Sequence, residues 1–201
     1  QLLDIQYNNL TEVKNNLFGS FSGTLKPFSW LSFTSTNTLT LSNTNTNDYR
    51  DSRTYSGNYS RNQYSNGTLE ISDTRNWSFL TSNILRLQHS FDNHNLSGLI
   101  GQEWYERHSR GTSVSMYDQK IAGERNVGGF SRQGTKGNGT SVPTGSESES
   151  GSFSIFSEVN YNYKGKYMAS ASFRTDGSTN FGKDKRYGTF YSFSASWLAS
   201  N

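Results

Sequence analysis

The residues best suited to bind a ligand lie in one polar stretch, where tyrosine and arginine recur every few positions. Residues 45–75 are rich in Asn, Ser, Tyr and Arg. An exposed tyrosine offers an apolar ring and a hydroxyl group to a sugar or a peptide. The candidates for ligand binding are Tyr49, Tyr55, Tyr59, Tyr64 and Arg61. The alternative is that the same rings pack strand tips together or form an aromatic girdle.

Residue patterns for covalent chemistry or metal binding are weaker. His89, His94 and His108 lack the spacing of a zinc site. Residues 176–178 (Asp-Gly-Ser) are foremost a turn signal, with no histidine close behind them. The sequence has no cysteine, which excludes disulfides and thiolate metal sites. We therefore predict that the protein is not an enzyme and holds no cofactor or metal.

Composition and charge narrow the function further. A soluble domain has about 45–50% apolar residues when glycine is included. This chain has 31% hydrophobic residues and only 19 glycines among 201 residues, yet 14% of its residues are aromatic. A transmembrane β-barrel fits these values, because only one face of each strand must be apolar. The net charge is +3, with scattered Lys and Arg, and gives no support for binding to nucleic acid.

Residues 152–201 alternate between apolar and polar side chains with a period of two, which predicts β-strands. Aromatic residues lie at the ends of the apolar faces, and the opposite faces are polar. Strands of a transmembrane β-barrel, which separate lipid from a water-filled lumen, have this pattern. A charge at the lipid midplane costs about 2–4 kcal/mol for Arg and less for Glu. We therefore expect these charged residues to face the lumen: Arg86, Glu103, Glu158 and Arg174.

The connections between the predicted strands alternate between short and long. Short turns are predicted at Lys26–Ser29, Asp92–Asn95 and Lys164–Lys166, and long external loops at about 45–75 and 107–151. Outer-membrane barrels show this rhythm, with tight turns at one rim and long loops at the other. The predicted fold class is all-β, an antiparallel up-and-down transmembrane β-barrel with about seven strands. Because the smallest single-chain barrels need about eight strands, we expect a fragment of a larger barrel.

Two stretches do not fit this pattern. Gln1–Asn15 has no clear period and is predicted to be a loop or a strand tip. Ser35 and Asn37 fall on the otherwise apolar face of a predicted strand, Trp30–Asn43. A bulge or a partner strand would explain two polar residues at these positions.

The last fifty residues carry motifs of a known family. Y-N-Y-K-G-K-Y at 161–167, S-F-R-T-D-G-S-T-N-F-G at 172–182 and R-Y-G-T-F-Y-S-F-S-A-S-W at 186–197 resemble the barrel of SusC/RagA-type TonB-linked outer-membrane transporters of Bacteroidetes. Tyr187 stands where that family usually has Trp, and Tyr191 where it usually has Pro. Thr179 replaces a Ser. The match is dense over these residues and looser but continuous upstream.

The resemblance implies active import of a bulky nutrient, a glycan fragment or an oligopeptide, across the bacterial outer membrane. In that family an N-terminal plug fills a 22-stranded barrel and a SusD-like surface lipoprotein caps it. The TonB complex supplies energy through parts of the parent chain not present here. Residues 1–201 would then belong to a single TonB-dependent-receptor-like barrel domain in contact with outer-membrane lipid.

Two alternatives remain open. The first is a passive porin or a siderophore-type receptor barrel, which would share the strand rhythm but not the motifs of the last fifty residues. The second belongs to another class: a secreted all-β adhesin or carbohydrate-binding module, which would bury its apolar faces in a protein core.

Overall fold

The computed structural model of the protein describes residues 2–58, 66–133, 143–182 and 186–199. Within these residues the chain is built almost entirely of strands, with a short helix, α1 (Leu2–Tyr7), and a 3-10 turn at Val127–Gly129. The strands are β1 (Asn9–Phe28), β2 (Leu31–Arg50), β3 (Thr68–Phe91), β4 (His94–Gln119), β5 (Phe130–Gln133), β6 (Thr144–Tyr163), β7 (Tyr167–Ser178) and β8 (Tyr187–Trp197).

The strands of the described segments form one sheet with the order β1-β2-β3-β4-β6-β7-β8, and β5 pairs with β4. The pairs β6–β7 and β7–β8 are antiparallel, with Val159 opposite Ala171 and Ala171 opposite Phe193. The prediction of an all-β, antiparallel up-and-down fold is confirmed. In this part of the chain β1 and β8 each have a single neighbour, so the sheet has two free edges.

By its internal contacts the chain divides into two units. The first unit takes in Gln1–Leu17, Leu41–Asn76 and Ser109–Ser148. The second unit takes in Phe18–Thr40, Trp77–His108 and Glu149–Asn201.

One face of the sheet in the second unit is apolar and uncovered. Phe173 and Phe193 are 44% and 77% exposed. The whole set predicted to point outward shares this face, by pairing and alternation: Phe153, Val159, Tyr161, Ala169, Phe173, Phe193 and Ala195. Each of these side chains is exposed. A soluble β-sandwich would bury such a set between its two sheets, whereas hydrocarbon can cover it here.

Hydroxyl groups pair across neighbouring strands on the opposite face of the second unit. The Ser22 and Thr36 hydroxyls are 2.9 Å apart between β1 and β2, and the Ser170 and Ser194 hydroxyls are 2.7 Å apart between β7 and β8. Similar pairs join Ser20 with Thr38, Thr24 with Thr34, and Ser172 with Ser192. These pairs satisfy hydroxyl groups within the sheet itself, so a polar face is maintained without a protein layer above it.

The three short turns lie in the second unit, and aromatic rings surround two of them. Lys164 N donates to Asn93 O at 2.8 Å, which joins two neighbouring turns. The His94 ring lies 4.9 Å from Phe91 and 4.7 Å from Tyr163. Rings at the ends of apolar strands are typical of the membrane interface of a barrel.

The strands extend further into the predicted long loops than their sequences indicate. β2 ends at Arg50 and β3 begins at Thr68, while β4 ends at Gln119 and β6 begins at Thr144. Parts of the predicted loops 45–75 and 107–151 are therefore strand tips, which was the alternative interpretation of 45–75, and the two long connections join Arg50 to Thr68 and Gln119 to Thr144. Polar residues occupy both faces of these strand ends, as in T-N-T-N-D at 44–48. The backbone ladder continues there without the alternation that reveals a strand in sequence.

The first unit contains a small apolar core at these strand ends. Its buried hydrophobic residues are Tyr49, Leu69, Met116 and Phe130, with Ile71 and Val114 packed against them. Phe130 belongs to β5, which pairs with the end of β4 through Gln119. The second long connection therefore contributes to the core of the first unit.

The prediction of a loop or a strand tip for Gln1–Asn15 is wrong for Leu2–Tyr7, which is helical, and correct from Asn9 onward, where β1 begins. A helix of 6 residues is too short for a 3.6-residue period to be visible in sequence. Among the described residues, no helix has the length and apolarity needed to cross a membrane.

Expressed alone, residues 1–201 should aggregate or stay unfolded. The sheet has two free edges, and lipid cannot satisfy their unpaired backbone groups, each of which costs several kcal/mol. Analytical ultracentrifugation and thermal melting in buffer and in detergent test this expectation. A monomeric, water-soluble product that melts cooperatively would contradict it.

Candidate functional site at the long loops

Asp51 is the centre of a hydrogen-bonded cluster in the first unit. Its Oδ1 accepts from Arg53 N and Nε at 2.9 and 2.8 Å, and its Oδ2 accepts from Arg53 Nη2 at 2.9 Å. The Tyr49 hydroxyl at 2.7 Å and Gly123 N at 2.9 Å also donate to Oδ2. A carboxylate has about four lone-pair sites, so these donors saturate the fully buried Asp51. The carboxylate is suited to holding the chain in place, not to binding a ligand.

These contacts join the two long connections to each other. Arg53 belongs to the first connection and Gly123 to the second. Gln119, at the end of β4, adds to the bridge: its side chain accepts from Ser52 N at 3.0 Å and donates to the Tyr49 hydroxyl. We refer to Tyr49, Asp51, Arg53, Gln119 and Gly123 as the loop cluster.

Hydrogen bonds join helix α1 and the next residue, Asn8, to the first long connection. The Asp4 carboxylate accepts from Ser56 N at 3.0 Å and from the Ser56 hydroxyl at 2.8 Å. Asn8 Oδ1 accepts from Asp51 N at 2.9 Å. Asp4 in the helix and Asn8 after it thus hold the two ends of the segment 51–56.

The local sequence D-S-R-T-Y-S-G at 51–57 explains this tight fold. The Thr54 hydroxyl donates to Asp51 O at 2.7 Å and accepts from Gly57 N at 3.1 Å. A Cβ atom at Gly57 would lie 2.1 Å from Asp51 O. Because that contact is with backbone, position 57 accommodates only glycine in this arrangement.

Opposite charges set the electrostatics of the loop cluster. The Arg53 guanidinium donates to Asp51 and lowers the pKa of that carboxyl well below its usual range, and this effect outweighs the burial that raises it. The same contact raises the pKa of Arg53. The Arg53 guanidinium also lies 4.0 Å from the centre of the Tyr7 ring, a cation–π contact. Hydrogen bonds from Ser56 lower the pKa of Asp4.

The structure describes two of the five predicted ligand-binding residues, Tyr49 and Tyr55. Tyr49 is 2% exposed and packs in the core of the first unit, which removes it from the exposed candidates and favours the alternative of strand-tip packing. Tyr55 is 57% exposed and stays a candidate. Tyr59, Arg61 and Tyr64 lie outside the described residues.

The four charged residues predicted to face the lumen share the polar face of the second unit. Arg174 Nη2 is 3.9 Å from Glu103 Oε2, and Arg86 and Glu158 line one cavity of about 300 Å³. Phe156 connects these two groups, since it lies two residues before Glu158 on β6 and opposite Arg174 on β7. The placement of this face toward a lumen stays a prediction.

An aromatic ring supports the Arg174 side of this group. The Arg174 guanidinium is 5.5 Å from the centre of the Phe156 ring. The ring lies over Gly101 of β4, where an added Cβ atom would come within 2.3 Å of it. Gly101 therefore provides the space in which Phe156 and Arg174 stack.

Sequence reasoning missed Asp51 and Gln119, the two residues that organise the loop cluster. Asp51 is 72 residues from Gly123 along the chain, so no local pattern links them. The D-S-R-T sequence does indicate a turn at Asp51. Aspartate often forms turns, because its side chain can accept a hydrogen bond from the backbone N–H two residues later.

Comparisons with known proteins find similarity to TonB-dependent receptors. No family model matches it. It is 26% identical over 203 residues to TonB-dependent receptor P39 of Formosa agariphila, covering 98% of this chain and 18% of the relative. A second relative from the same organism, TonB-dependent receptor P3, is 32% identical over 132 residues, 65% of this chain and 12% of that protein. The chain thus spans less than a fifth of these two relatives.

The fold is similar to that of a solved transporter. The structure of the RagAB peptide importer in the open-open state matches with a TM-score of 0.79 at 21% identity, over 94% of this chain and 20% of that one. These similarities confirm the resemblance to the SusC/RagA-type TonB-dependent receptors. The matched proteins are named as receptors and an importer.

Asp51→Asn should open the loop cluster and leave the strands intact. An asparagine keeps the shape but loses acceptor sites, and a buried donor left without its partner costs about 1–3 kcal/mol. Spin labels at the exposed positions Tyr55→Cys and Ile121→Cys in the full-length protein should report a broader distance distribution. Asp48→Asn is the matched control, because its pair with Arg50 is partly exposed and contributes about 0–1 kcal/mol. Equal distributions in both variants would contradict the role of Asp51.

The loop cluster should withstand mild acid. A depressed carboxyl pKa contributes stability that is fully present above the unfolded value of about 3.9 and is lost as pH falls through the folded value. The same spin-label distance should therefore stay narrow down to about pH 4 and broaden only well below it. In Asp51→Asn this acid transition should be largely absent. Broadening between pH 7 and pH 5 would contradict the assignment to Asp51.

Proposed function

We propose that this chain, a barrel segment of a SusC/RagA-type TonB-dependent receptor, forms part of the wall of an outer-membrane transporter. The transporter imports a bulky nutrient, a glycan fragment or an oligopeptide, together with a SusD-like surface lipoprotein and with energy from TonB. The segment supplies membrane-facing wall, polar lumen surface and external loops. It performs no covalent chemistry.

The observation that carries this proposal is the contrast between the two faces of the sheet in the second unit. Exposed aromatic and aliphatic side chains cover one face, and paired hydroxyl groups cover the other. In the described segments the buried hydrophobic residues are four, all of them in the first unit. A secreted adhesin or carbohydrate-binding module would bury a larger core, so this contrast favours a wall between lipid and water.

The choice of transporter type is supported by the fold comparison. A siderophore receptor, PiuA of Acinetobacter baumannii, matches with a TM-score of 0.51 at 12% identity, over 94% of this chain and 30% of that one. The RagAB importer matches better over the same share of the chain. The last fifty residues also carry the SusC/RagA-type motifs, which favours this type over a passive porin.

The loop cluster has a defined part in this proposal. Asp51 holds the two long connections together, so they can present one shaped surface to a lipoprotein or a nutrient. Tyr55 is exposed on the first connection. The proposed ligand contacts are Tyr55, Tyr59, Tyr64 and Arg61, and Tyr49 has a packing role instead.

Uptake assays in the parent bacterium test the proposal. Deleting the gene of the full-length receptor should abolish growth on an oligopeptide or a glycan as limiting nutrient, and the wild-type gene should restore it. Asp51→Asn should lower uptake and the amount of lipoprotein that copurifies, because the joined loops come apart. Asp48→Asn should behave as wild type.

Two results would count against the proposal. Growth of the deletion strain on every glycan and oligopeptide tested, at the wild-type rate, would overturn the transport role. Full uptake by Asp51→Asn, with the spin-label distance already broadened, would show that joined loops are not needed for import. Heat-modifiable migration in gels confirms in each variant that the barrel has folded.

A further inference from the structure

A cluster of aromatic rings lies where the apolar face of the second unit meets two of its short turns. The centre of the His94 ring is 4.9 Å from that of Phe91 and 4.7 Å from that of Tyr163. Tyr161 and Tyr167 extend the cluster, with ring centres 5.9 Å from His94 and 6.4 Å from Tyr163, respectively. In membrane proteins, amphipathic rings occupy the level of the lipid headgroups. The cluster therefore marks the level at which a headgroup would meet this sheet.

The His94 imidazole has one nitrogen engaged inside the cluster and one without a protein partner. Its Nδ1 and the Tyr161 hydroxyl oxygen are 2.6 Å apart. Among the described residues, His94 Nε2 takes part in no hydrogen bond. When the phenol donates to Nδ1, or when the imidazole is protonated, Nε2 carries a hydrogen atom. An anion next to Nε2 would favour these two forms and accept a hydrogen bond from it.

Lys164 brings a positive charge to the same group of rings. Its Nζ is 5.3 Å from the centre of the Tyr163 ring, a cation–π contact. In the described part of the chain its ammonium group forms no ion pair. Residues 92–95 and 164–166 contain two lysines and one aspartate, so the two turns together carry a positive charge. The Tyr163 ring thus has both an imidazole and an unpaired ammonium group as neighbours.

Backbone hydrogen bonds hold the two turns that carry these groups. Lys164 N donates to Asn93 O at 2.8 Å, and Lys166 N donates to Tyr163 O at 3.0 Å. Lys164 and Gly165 have φ angles of 56° and 66°, as in the type I′ turn of a two-residue hairpin loop. The groups are therefore held near each other before any ligand binds, which lowers the entropic cost of binding.

We propose that His94 and Lys164 bind the phosphate group of a phospholipid whose acyl chains lie along the apolar face of the second unit. The proposal rests on the proposed function, because it requires this face to meet the membrane. Phosphate oxygens accept short, strong hydrogen bonds from charged donors. Val159 and Tyr161, exposed on the apolar face next to the turns, would contact the acyl chains. A phospholipid joins an anionic group to hydrocarbon chains in one molecule, whereas free phosphate satisfies only the two donors.

Native mass spectrometry of the full-length receptor in a maltoside detergent measures the binding of phosphatidylglycerol. The test variant combines His94→Phe with Lys164→Gln, which keeps the stacked ring and removes both donors. The matched control combines His89→Phe, in ring contact with Phe91, with Lys26→Gln, which lines the cavity of the polar face. The dissociation constant should rise at least about tenfold in the test variant, or about 1.4 kcal/mol, and change less than about twofold in the control.

Two further probes identify the part of the lipid that is recognised. Diacylglycerol has the same acyl chains without the phosphate and should bind at least about tenfold more weakly than phosphatidylglycerol. Inorganic phosphate at the concentration of the lipid should not displace it. Equal binding of diacylglycerol, or equal dissociation constants for wild type and the test variant, would overturn the site. Displacement by inorganic phosphate would overturn the lipid as the occupant.

Acylation of lysines tests the site in the wild-type receptor, where folding is not in question. Adding phosphatidylglycerol to the receptor in detergent should slow the acylation of Lys164, because the phosphate group covers its ammonium group. Lys26 should react at the same rate with and without the lipid. An unchanged rate at Lys164 would contradict the proposed contact.

A separate readout distinguishes the lipid site from the import function. Uptake is measured in strains that carry the test variant, and heat-modifiable migration checks folding. Specific lipid binding in a receptor without uptake of any nutrient would contradict the proposed function alone. Normal uptake by a wild-type receptor that shows no preference for phosphatidylglycerol would contradict the lipid site alone.

Discussion

The backbone hydrogen-bond ladder between neighbouring strands is the constraint on which the rest of this structure depends. Because side chains alternate along a strand, a shift of one residue in the pairing would exchange the two faces. The register that pairs Ala171 with Phe193 and Ser170 with Ser194 keeps apolar and polar groups apart. In the part of the chain described, few hydrophobic side chains are buried, so the ladder, and not a large core, defines the fold.

The loop cluster orders the connections, which lie outside the hydrogen-bond ladder of the sheet. Connections outside a sheet have no regular partners for their backbone groups, and a buried charge is costly unless it is paired and hydrogen-bonded. Asp51 meets both conditions, since it accepts from Arg53, Tyr49 and Gly123. The hydrogen bonds to this one carboxylate thereby fix the positions of connections that have no neighbouring strand.

The sequence predicts a strand where the two faces of that strand differ in polarity, and misses it where they do not. Between Phe153 and Trp197 one face is apolar and the other polar, so the alternation is visible and the strands were predicted. At 44–48 both faces are polar, and the strand continues without a signal. Helix α1 is shorter than two turns, so no helical period develops.

The candidate site was less accessible to sequence reasoning than the fold. The tyrosine-rich stretch was identified, but the pattern does not separate a buried ring such as Tyr49 from an exposed one such as Tyr55. The partners of Asp51 lie on another connection far along the chain, and only the sheet brings them together. Ser35 and Asn37 were visible as exceptions, and their side chains form a hydrogen bond with each other.

In the proposed transporter, the paired hydroxyl groups on the polar face have a consequence for selectivity. In pairs such as Ser22 with Thr36 and Ser170 with Ser194, either oxygen can be the donor. Each pair can reverse its polarity by rotating two hydrogen atoms, with no movement of the heavier atoms. At these pairs the face has no fixed pattern of donors and acceptors against which a passing molecule could be matched. In the proposed transporter they would tolerate cargoes of varied chemistry and leave discrimination to the charged residues of the same face and to the loops.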